Sequence, residues 1–206
     1  MFALVEDGSI TKYFSGNRGI TLGSNQYPKA IFTLWTKDER EAIGIYEVVW
    51  DNSKKKDEKW YINTDVSYAF AGGKVTASYG DATAKAHADT LYTEDDEDNG
   101  LGTEGEVKAE GLKTKLIRDI KKEAANILAE TDWYILRKAD ANTAIPSAIT
   151  NHRAAVRTKC ASMETSITNA SNTAALETLY TYVNTADEGD PVVMERPLGV
   201  LPRLET

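Results

Sequence analysis

Cysteine and histidine are scarce in this chain: its 206 residues include one cysteine, Cys160, and two histidines, His87 and His152. A single thiol excludes an intramolecular disulfide and agrees with folding in a reducing cytoplasm. Neither histidine lies near a G-x-S-x-G or C-x-x-C motif, so the sequence does not indicate a nucleophile with an adjacent base. Cys160 falls on the apolar side of a predicted helix, where a small buried side chain is the expected role. We therefore predict no catalytic residue and no enzymatic activity.

Long apolar runs and excess positive charge are also missing. No run approaches the roughly 18 to 20 apolar residues that a membrane-spanning helix needs, so we expect no membrane partner. Against 32 Asp and Glu there are 24 Lys and Arg, which gives a formal net charge of −8. The densest basic cluster, Lys54–Lys56, is flanked by carboxylates. Because phosphate binding needs a concentrated basic surface, we do not predict nucleic acid as a partner. We predict that the partners are proteins.

The N-terminal part of the chain is rich in β-branched and aromatic residues. One hairpin is predicted for residues 2–14, with Asp7-Gly8 in its turn, because this dipeptide favours tight hairpin turns. A second hairpin is predicted for residues 60–79, with Gly72-Gly73 in its turn. These patterns predict a small antiparallel β-meander over residues 1–80.

Residues 81–110 are predicted to form an acidic linker, since few of their side chains could pack. The run from Asp95 also resembles the EF-hand loop, which places oxygen ligands at alternating positions, then a glycine, then a final carboxylate. Glu97 and Gly102 depart from that pattern. A solvated linker is therefore preferred, and we predict no metal and no cofactor. The weak metal-ligand candidates are Asp95, Glu97, Asn99 and Glu106.

The second half is predicted to be a helical module over residues 111–185. Apolar residues recur at spacings of three and four over Leu112–Leu128, which places them on one helix face. A second helix is predicted to begin at Pro146, a residue tolerated in a first turn, and a short third helix over Thr173–Val183. The 131–145 segment is predicted to be the loop that joins the first two helices into a hairpin. The inward side of the second helix is predicted to carry Ile149, Arg153, Val156, Cys160, Met163 and Ile167.

Residues 186–206 are predicted to form an extended tail. Three prolines, Pro191, Pro197 and Pro202, prevent a helix there. The apolar residues between the prolines suggest that the tail lies on a surface of its own or of another chain. The predicted fold class is therefore α+β, with an antiparallel β-domain followed by a helical hairpin and a tail.

The segment after the first long helix contains residues suited to fixing the helical hairpin. Thr131-Asp132 can satisfy backbone groups where the helix ends. Trp133 is large and apolar, and we expect it to be buried at the bend between the helices. Arg153 and Arg157 lie one turn apart and are predicted to reach back to Asp132 or Glu130. The candidate structural or interaction residues are Thr131, Asp132, Trp133, Arg153 and Arg157.

The same segment carries a family resemblance. Ile127–Trp133 resembles the signature of the tail assembly chaperones of tailed bacteriophages, in which a leucine pair and two further residues precede Thr-Asp-Trp. In that family a connection with Ala and Pro leads to an aromatic-Arg-x-x-aliphatic-Arg helix. Here Ile145–Ser147 and His152–Arg157 occupy those places. His152 replaces the usual Tyr or Trp, and Ala154 replaces the usual Gln.

The resemblance spans residues 116–160. The earlier segments Tyr27-Pro28 and Glu39-Arg40, which lead to Gly44-Ile45, are similar to a small β-domain that precedes this module in many marine-phage tail proteins. The resemblance implies a virion component of the tail, baseplate or tail-fibre attachment, or else a transient assembly chaperone absent from the mature particle. It implies other tail proteins as partners, a homo-oligomer within the tail, and the host cytoplasm as the place of assembly.

Two readings of other classes stay open. A carbohydrate-active tail hydrolase would need two carboxylates in a cleft, and the one aromatic candidate for a sugar groove is Trp60-Tyr61. A Ca²⁺-stabilised adhesion module would depend on the acidic run. A virion component is preferred over a chaperone because a β-domain, a linker and an apolar tail suit a connector that makes several contacts.

Overall fold

A computed structural model describes residues 1–204 of the chain. The chain divides into two compact units, the first spanning Met1–Thr83 and the second beginning at Ala84. The first unit is built on a β-sheet and the second mainly on helices, which confirms the predicted α+β fold. Within residues 1–204, no helix is both long and apolar enough to cross a bilayer.

The first unit contains most of the strands. Its elements are β1 (Phe2–Glu6), β2 (Ser9–Phe14), β3 (Ile20–Leu22), β4 (Asn25–Tyr27), a 3-10 turn (Lys29–Phe32), α1 (Lys37–Glu41), β5 (Ile45–Asp51), β6 (Tyr61–Ile62), β7 (Ser67–Ala71), β8 (Lys74–Ser78) and, at the boundary, β9 (Thr83–Ala84).

Both predicted hairpins are confirmed. β1 pairs antiparallel with β2 through Asp7 and Gly8, whose φ angles are +50° and +76°. β7 pairs antiparallel with β8 through Gly72 and Gly73, with φ of +57° and +70°. Tight hairpin turns need positive φ, which glycine adopts without steric cost and aspartate tolerates.

The prediction of a purely antiparallel meander is wrong for one pair of strands. β5 and β8 run parallel, with Val48 beside Val75, in a sheet of order β2-β1-β5-β8-β7. Parallel neighbours need a long connection, and residues 52–73 supply it. Turn motifs indicate which consecutive strands pair. The pairing of strands distant in sequence depends instead on which apolar faces can be buried together.

Apolar side chains cover both faces of this sheet, because successive residues of a strand point to opposite sides. Ala3 and Leu4, adjacent in β1, belong to different clusters. The cluster on one face contains Leu4, Ile20, Ile31, Phe32 and Ile45. The cluster on the other contains Ala3, Val48, Val75 and Ala77.

The second unit contains the long helices. Its remaining elements are β10 (Thr90–Leu91), α2 (Glu94–Asp98), β11 (Val107–Ala109), α3 (Leu112–Ala129), α4 (Asp132–Ala141), α5 (Ser147–Asn169), α6 (Thr173–Tyr180), β12 (Val183–Asn184) and β13 (Met194–Glu195).

The predicted helix faces are confirmed: α3 packs against α5, and most of the apolar residues predicted to face inward are buried, whereas Leu112 and Leu128 at the ends of the α3 stripe are half-buried. α5 begins directly after Pro146, as predicted. Burial of these large side chains away from water is the main stabilising contribution of the helix pair. The buried residues of α3 are Leu116, Ile120, Ala124 and Ile127, and those of α5 are Ile149, His152, Arg153, Val156, Cys160, Met163 and Ile167.

The segment predicted to be an acidic linker, residues 81–110, is instead structured. Thr93 caps α2 in a capping box with Asp96, and Asp96 forms an ion pair of 2.6 Å with Lys108. β10 and β11 flank the helix and pair antiparallel. Carboxylates in the first turn of a helix interact favourably with its N-terminal partial positive charge. The acidic run therefore stabilises a short helix where the sequence had indicated a solvated coil.

Two other predicted boundaries also change. The 131–145 segment is not a loop, because α4 occupies Asp132–Ala141 of it. The tail is extended over its described residues, 186–204, but it is partly paired, since β13 pairs antiparallel with β12. Leu198 and Leu201 of the tail are buried, and the backbone N–H of Leu198 donates to the carbonyl oxygen of Leu179 at 3.0 Å. Leu198 and Leu201 therefore anchor the end of the described tail on its own unit.

The N-terminus of α3 is tied to the preceding segment. The Asp89 carboxylate accepts hydrogen bonds from the Gly111 backbone N–H at 2.6 Å and the Thr114 hydroxyl at 2.7 Å. The backbone N–H groups of Leu112 and Lys113 donate to carbonyl oxygens of the same preceding segment. These bonds satisfy donors that have no partner within the helix. The pKa of Asp89 lies below its ordinary value because of the Gly111 and Thr114 hydrogen bonds.

We expect Asp89 to make stability pH-dependent. Its folded-state pKa is lowered, so its contribution is fully present above the ordinary value of 3.8 and is lost as the pH falls through the folded-state pKa. Asp89→Ala should therefore lower the urea midpoint at about pH 7, and the difference from the wild type should shrink at about pH 2. Asp98→Ala, a change of an exposed carboxylate in the same unit, is the control. If the urea midpoints of the wild type and Asp89→Ala differ equally at both pH values, Asp89 is not the source of the pH dependence.

Candidate interaction surface

A buried arginine joins α5 to the corner between α3 and α4. The Arg153 Nη1 donates to the Leu128 carbonyl oxygen at 2.6 Å and to the Thr131 Oγ1 at 2.7 Å. The Arg153 Nη2 lies 2.9 Å from the Asp132 Oδ1. Charge-assisted hydrogen bonds of this kind are about twice as strong as neutral ones. The predicted contact between Arg153 and Asp132 is confirmed, and the guanidinium fixes where one helix ends and the next begins.

Thr131 completes this corner. Its side chain is buried, and its hydroxyl donates to the Leu128 carbonyl oxygen at 3.0 Å while accepting from Arg153. The last carbonyls of a helix have no partner within it, so these bonds satisfy one of them. The prediction that Thr131 satisfies a backbone group at the helix end is confirmed.

Arg157 takes no part in the corner. Its side chain is exposed, and within residues 1–204 it forms no ion pair. The prediction that Arg157 also reaches back to Asp132 or Glu130 is therefore wrong. One turn of α5 separates Arg157 from Arg153, which carries it about 6 Å along the helix axis. Arg153 already occupies the corner.

The prediction that Trp133 is buried at the bend is also wrong. Its side chain is 50% exposed. Its ring centroid lies 3.8 Å from that of Tyr134, and the Arg137 guanidinium lies 4.7 Å from the Trp133 ring centroid and 5.5 Å from that of Tyr134. Because Thr131 and Arg153 fill the corner and the chain continues as a helix, Trp133 lies on the outer side of the first turn of α4.

α4 has no buried residue at all, although it contains several large apolar side chains. Leu136 is 69% exposed and Ile135 is 41% exposed. Exposed aromatic, aliphatic and arginine side chains in contiguity are typical of protein-binding surfaces. We call this side of the helix the α4 surface, which consists of Trp133, Tyr134, Leu136, Arg137 and Lys138.

A second exposed apolar region lies in the tail. Residues 182–195, which we call the acidic hairpin, contain β12, β13 and a tip with three carboxylates. The Asn184 side-chain oxygen accepts from the backbone N–H of Val193 at 3.0 Å and of Ala186 at 3.2 Å, which holds the two arms together. The exposed large apolar residues of the hairpin are Tyr182, Val183, Val192, Val193 and Met194.

The weak metal-ligand candidates do not form a loop around a common point. Asp95 and Glu97 lie within α2, and Glu97 accepts the Glu104 backbone N–H at 2.9 Å. The Asn99 side chain donates to the Asp95 carbonyl oxygen at 2.6 Å. Glu106 directly precedes β11. Within residues 1–204, no group of three or more His, Cys, Asp or Glu side chains is arranged to hold a metal ion.

Three other residues considered for catalysis or sugar binding are buried. Cys160 is buried, and burial is the main cause that raises the pKa of its thiol, which disfavours the reactive thiolate. His152 is buried, and among the described residues its Nε2 has no hydrogen-bond partner. Trp60 is 3% exposed and therefore cannot offer its face to a sugar.

We expect Trp133→Ala to change the free energy of unfolding by less than about 1 kcal/mol, because half of the side chain is already in water. Met163→Ala, which removes a buried side chain of α5, is the matched comparison and should cost about 2 to 5 kcal/mol. Urea unfolding of both variants checks this. If Trp133→Ala lowered the free energy of unfolding as much as Met163→Ala, Trp133 would have to be a buried anchor of the hairpin after all.

Comparison of the chain with protein-family models, curated proteins and solved structures returned no match.

Proposed function

We propose that this chain is a non-enzymatic protein of a tailed-bacteriophage tail that acts through contacts with other tail proteins, as part of the tail, baseplate or fibre attachment. The support from sequence is the Thr-Asp-Trp signature with the arginine helix that follows it. The support from structure is that Arg153 of that helix binds Thr131 and Asp132 of the signature. The two halves of the signature thus act together on one corner.

The observation that carries the proposal is the α4 surface. Arg153 holds the start of α4, and Trp133 and Leu136 are left facing solvent. Leaving large apolar groups in water costs free energy that a partner can recover by covering them. Arg137, stacked on two aromatic rings, adds a cation of the kind common at the centre of protein interfaces. The surface is suited to binding a protein.

A transient assembly chaperone is the second candidate, and the same exposure favours it. A chaperone binds a subunit through apolar groups that are uncovered before and after assembly, as Trp133 and Leu136 are here. A virion component would keep these groups covered in the mature particle. The two candidates therefore differ in whether the contact persists.

The test is a quantitative mass-spectrometric inventory of purified particles of the encoding phage alongside the infected-cell lysate. A fixed copy number in the particle, in ratio to known tail subunits, is the result expected for a tail component. Presence in the lysate but not in the particle would overturn that assignment in favour of the chaperone. If the chain is absent from the particle and no tail subunit co-purifies with it from the lysate, both candidates are rejected.

A further inference from the structure

We propose that the α4 surface of one copy binds the acidic hairpin of a second copy, so that the protein assembles head to tail. This inference rests on the proposed function, because it names a partner for the same surface. Both surfaces are exposed in the single chain, so neither occupies the other within one copy.

The acidic hairpin is complementary to the α4 surface in charge. The tip of the acidic hairpin carries Asp187, Glu188 and Asp190, all exposed. The α4 surface carries Arg137 and Lys138, also exposed. Opposite charges that meet across an interface steer association and fix its register, whereas like charges brought together oppose it. Because the whole chain has a net charge of −8, two copies repel unless a local basic surface meets a local acidic one.

The apolar groups of the two surfaces also match in kind. Leu136 and Trp133 project from α4, and Val192, Val193 and Met194 project from the arm of the hairpin that follows the acidic tip. On each surface the exposed apolar side chains lie close in sequence to the charged ones. Apolar contacts and ion pairs can therefore form in the same interface. The centre of such an interface is apolar and its rim is charged.

The same reasoning disfavours pairing of identical surfaces. Two α4 surfaces would bring the Arg137–Lys138 pairs together, and two acidic hairpins would bring their carboxylates together. Association of unlike surfaces leaves one free α4 surface and one free hairpin at the ends of every assembly. Growth therefore continues until a ring closes or a filament forms, and this is the mode of assembly that repeated tail structures need.

Analytical ultracentrifugation of the full chain at up to about 1 mM tests the proposal first. We expect the average mass to rise above the 22.7 kDa of the monomer with increasing concentration and to fall back with added salt. Arg137→Glu with Lys138→Glu, and separately Asp187→Lys with Asp190→Lys, should each raise the dissociation constant at least about tenfold. The control pair is Lys122→Glu with Asp98→Lys, exposed positions outside both surfaces. It should leave the dissociation constant within about twofold.

Mixing the two double variants gives the decisive result. Each variant keeps one wild-type surface but has lost the other. Alone, each variant carries two surfaces of the same sign and cannot self-associate, whereas in the mixture the two wild-type surfaces bind each other and the two reversed surfaces are complementary as well. The mixture should therefore recover concentration-dependent association, whereas each variant alone associates at least about tenfold more weakly than the wild type. The chain with all four substitutions should associate again, because its charges are complementary in the reverse sense, and this shows that the variants are folded.

Three results would overturn the proposal. They are a wild-type chain that stays monomeric throughout, a mixture that does not dimerise, and a hairpin variant that self-associates as well as the wild type. The last would mean that α4 surfaces bind something other than the hairpin. These measurements use purified protein, so their failure is distinct from failure of the tail assignment, which depends on the particle inventory.

Discussion

Arg153→Ala is expected to lower the free energy of unfolding of the second unit by roughly 2 to 4 kcal/mol. The substitution removes charge-assisted hydrogen bonds to the Leu128 carbonyl and the Thr131 hydroxyl, together with the ion pair to Asp132. It also removes a buried aliphatic stem and leaves a cavity between α3 and α5. The ion pair contributes least, because the Asp132 side chain is 57% exposed and water screens it.

Urea unfolding followed by far-ultraviolet circular dichroism measures this effect, since the signal comes mainly from the helices of the second unit. Arg157→Ala is the matched control: it is the same change one turn later on the same helix, at an exposed position, and should stay within about 0.5 kcal/mol. Arg153→Lys should lose most of the same stability, because a single ammonium cannot make the guanidinium's divergent contacts. Equal effects of Arg153→Ala and Arg157→Ala would reject the role given to the corner.

Gly111→Ala is expected to cost about 3 kcal/mol, the second large effect. A Cβ at this position would lie 2.3 Å from the carbonyl carbon and oxygen of Ala88 and 2.8 Å from the backbone nitrogen of Asp89. These are backbone atoms, so a rotamer change cannot relieve the clash. The segment must move, and the bonds that it makes to the N-terminus of α3 are stretched or broken.

Gly105→Ala is the control for Gly111→Ala. Gly105 has a φ of +81° with open space around its Cβ direction, so the substitution introduces backbone strain without a clash. That strain should cost about 1 to 2 kcal/mol. Comparison of the two urea midpoints, with Asp89→Ala as a third variant, separates steric displacement from loss of the cap. A smaller loss for Gly111→Ala than for Gly105→Ala would contradict the close backbone approach.

Much of the fold follows from local sequence patterns. Asp7-Gly8 and Gly72-Gly73 determine two hairpins because few dipeptides accept the positive φ of a tight turn. The apolar spacing over α3 and along α5 determines which residues of each helix are buried, since the helical period is a property of the backbone alone. The resemblance to tail assembly chaperones stays a prediction, and the corner geometry is its main support.

Two features of the fold could not be predicted from local patterns, because they depend on residues outside the segment concerned. The parallel pairing of β5 with β8 links residues that are 27 positions apart, such as Val48 and Val75. The acidic run folds because Lys108 and the β10–β11 pair lie against α2. Neither the partner strand nor the partner lysine can be identified from the segment itself.

Local sequence was enough for the class of fold, most of the buried stripes of α3 and α5, and the contact of Arg153 with Thr131-Asp132, because turn chemistry and helical period act over a few residues. The exposure of Trp133 depends instead on packing between segments that are distant in sequence. An indole suits a buried bend and an exposed interface equally well, so its environment depends on what else fills the bend. Arg153, which lies far along the chain, takes that place through three contacts that Trp133 cannot make, and the tryptophan is left on the surface.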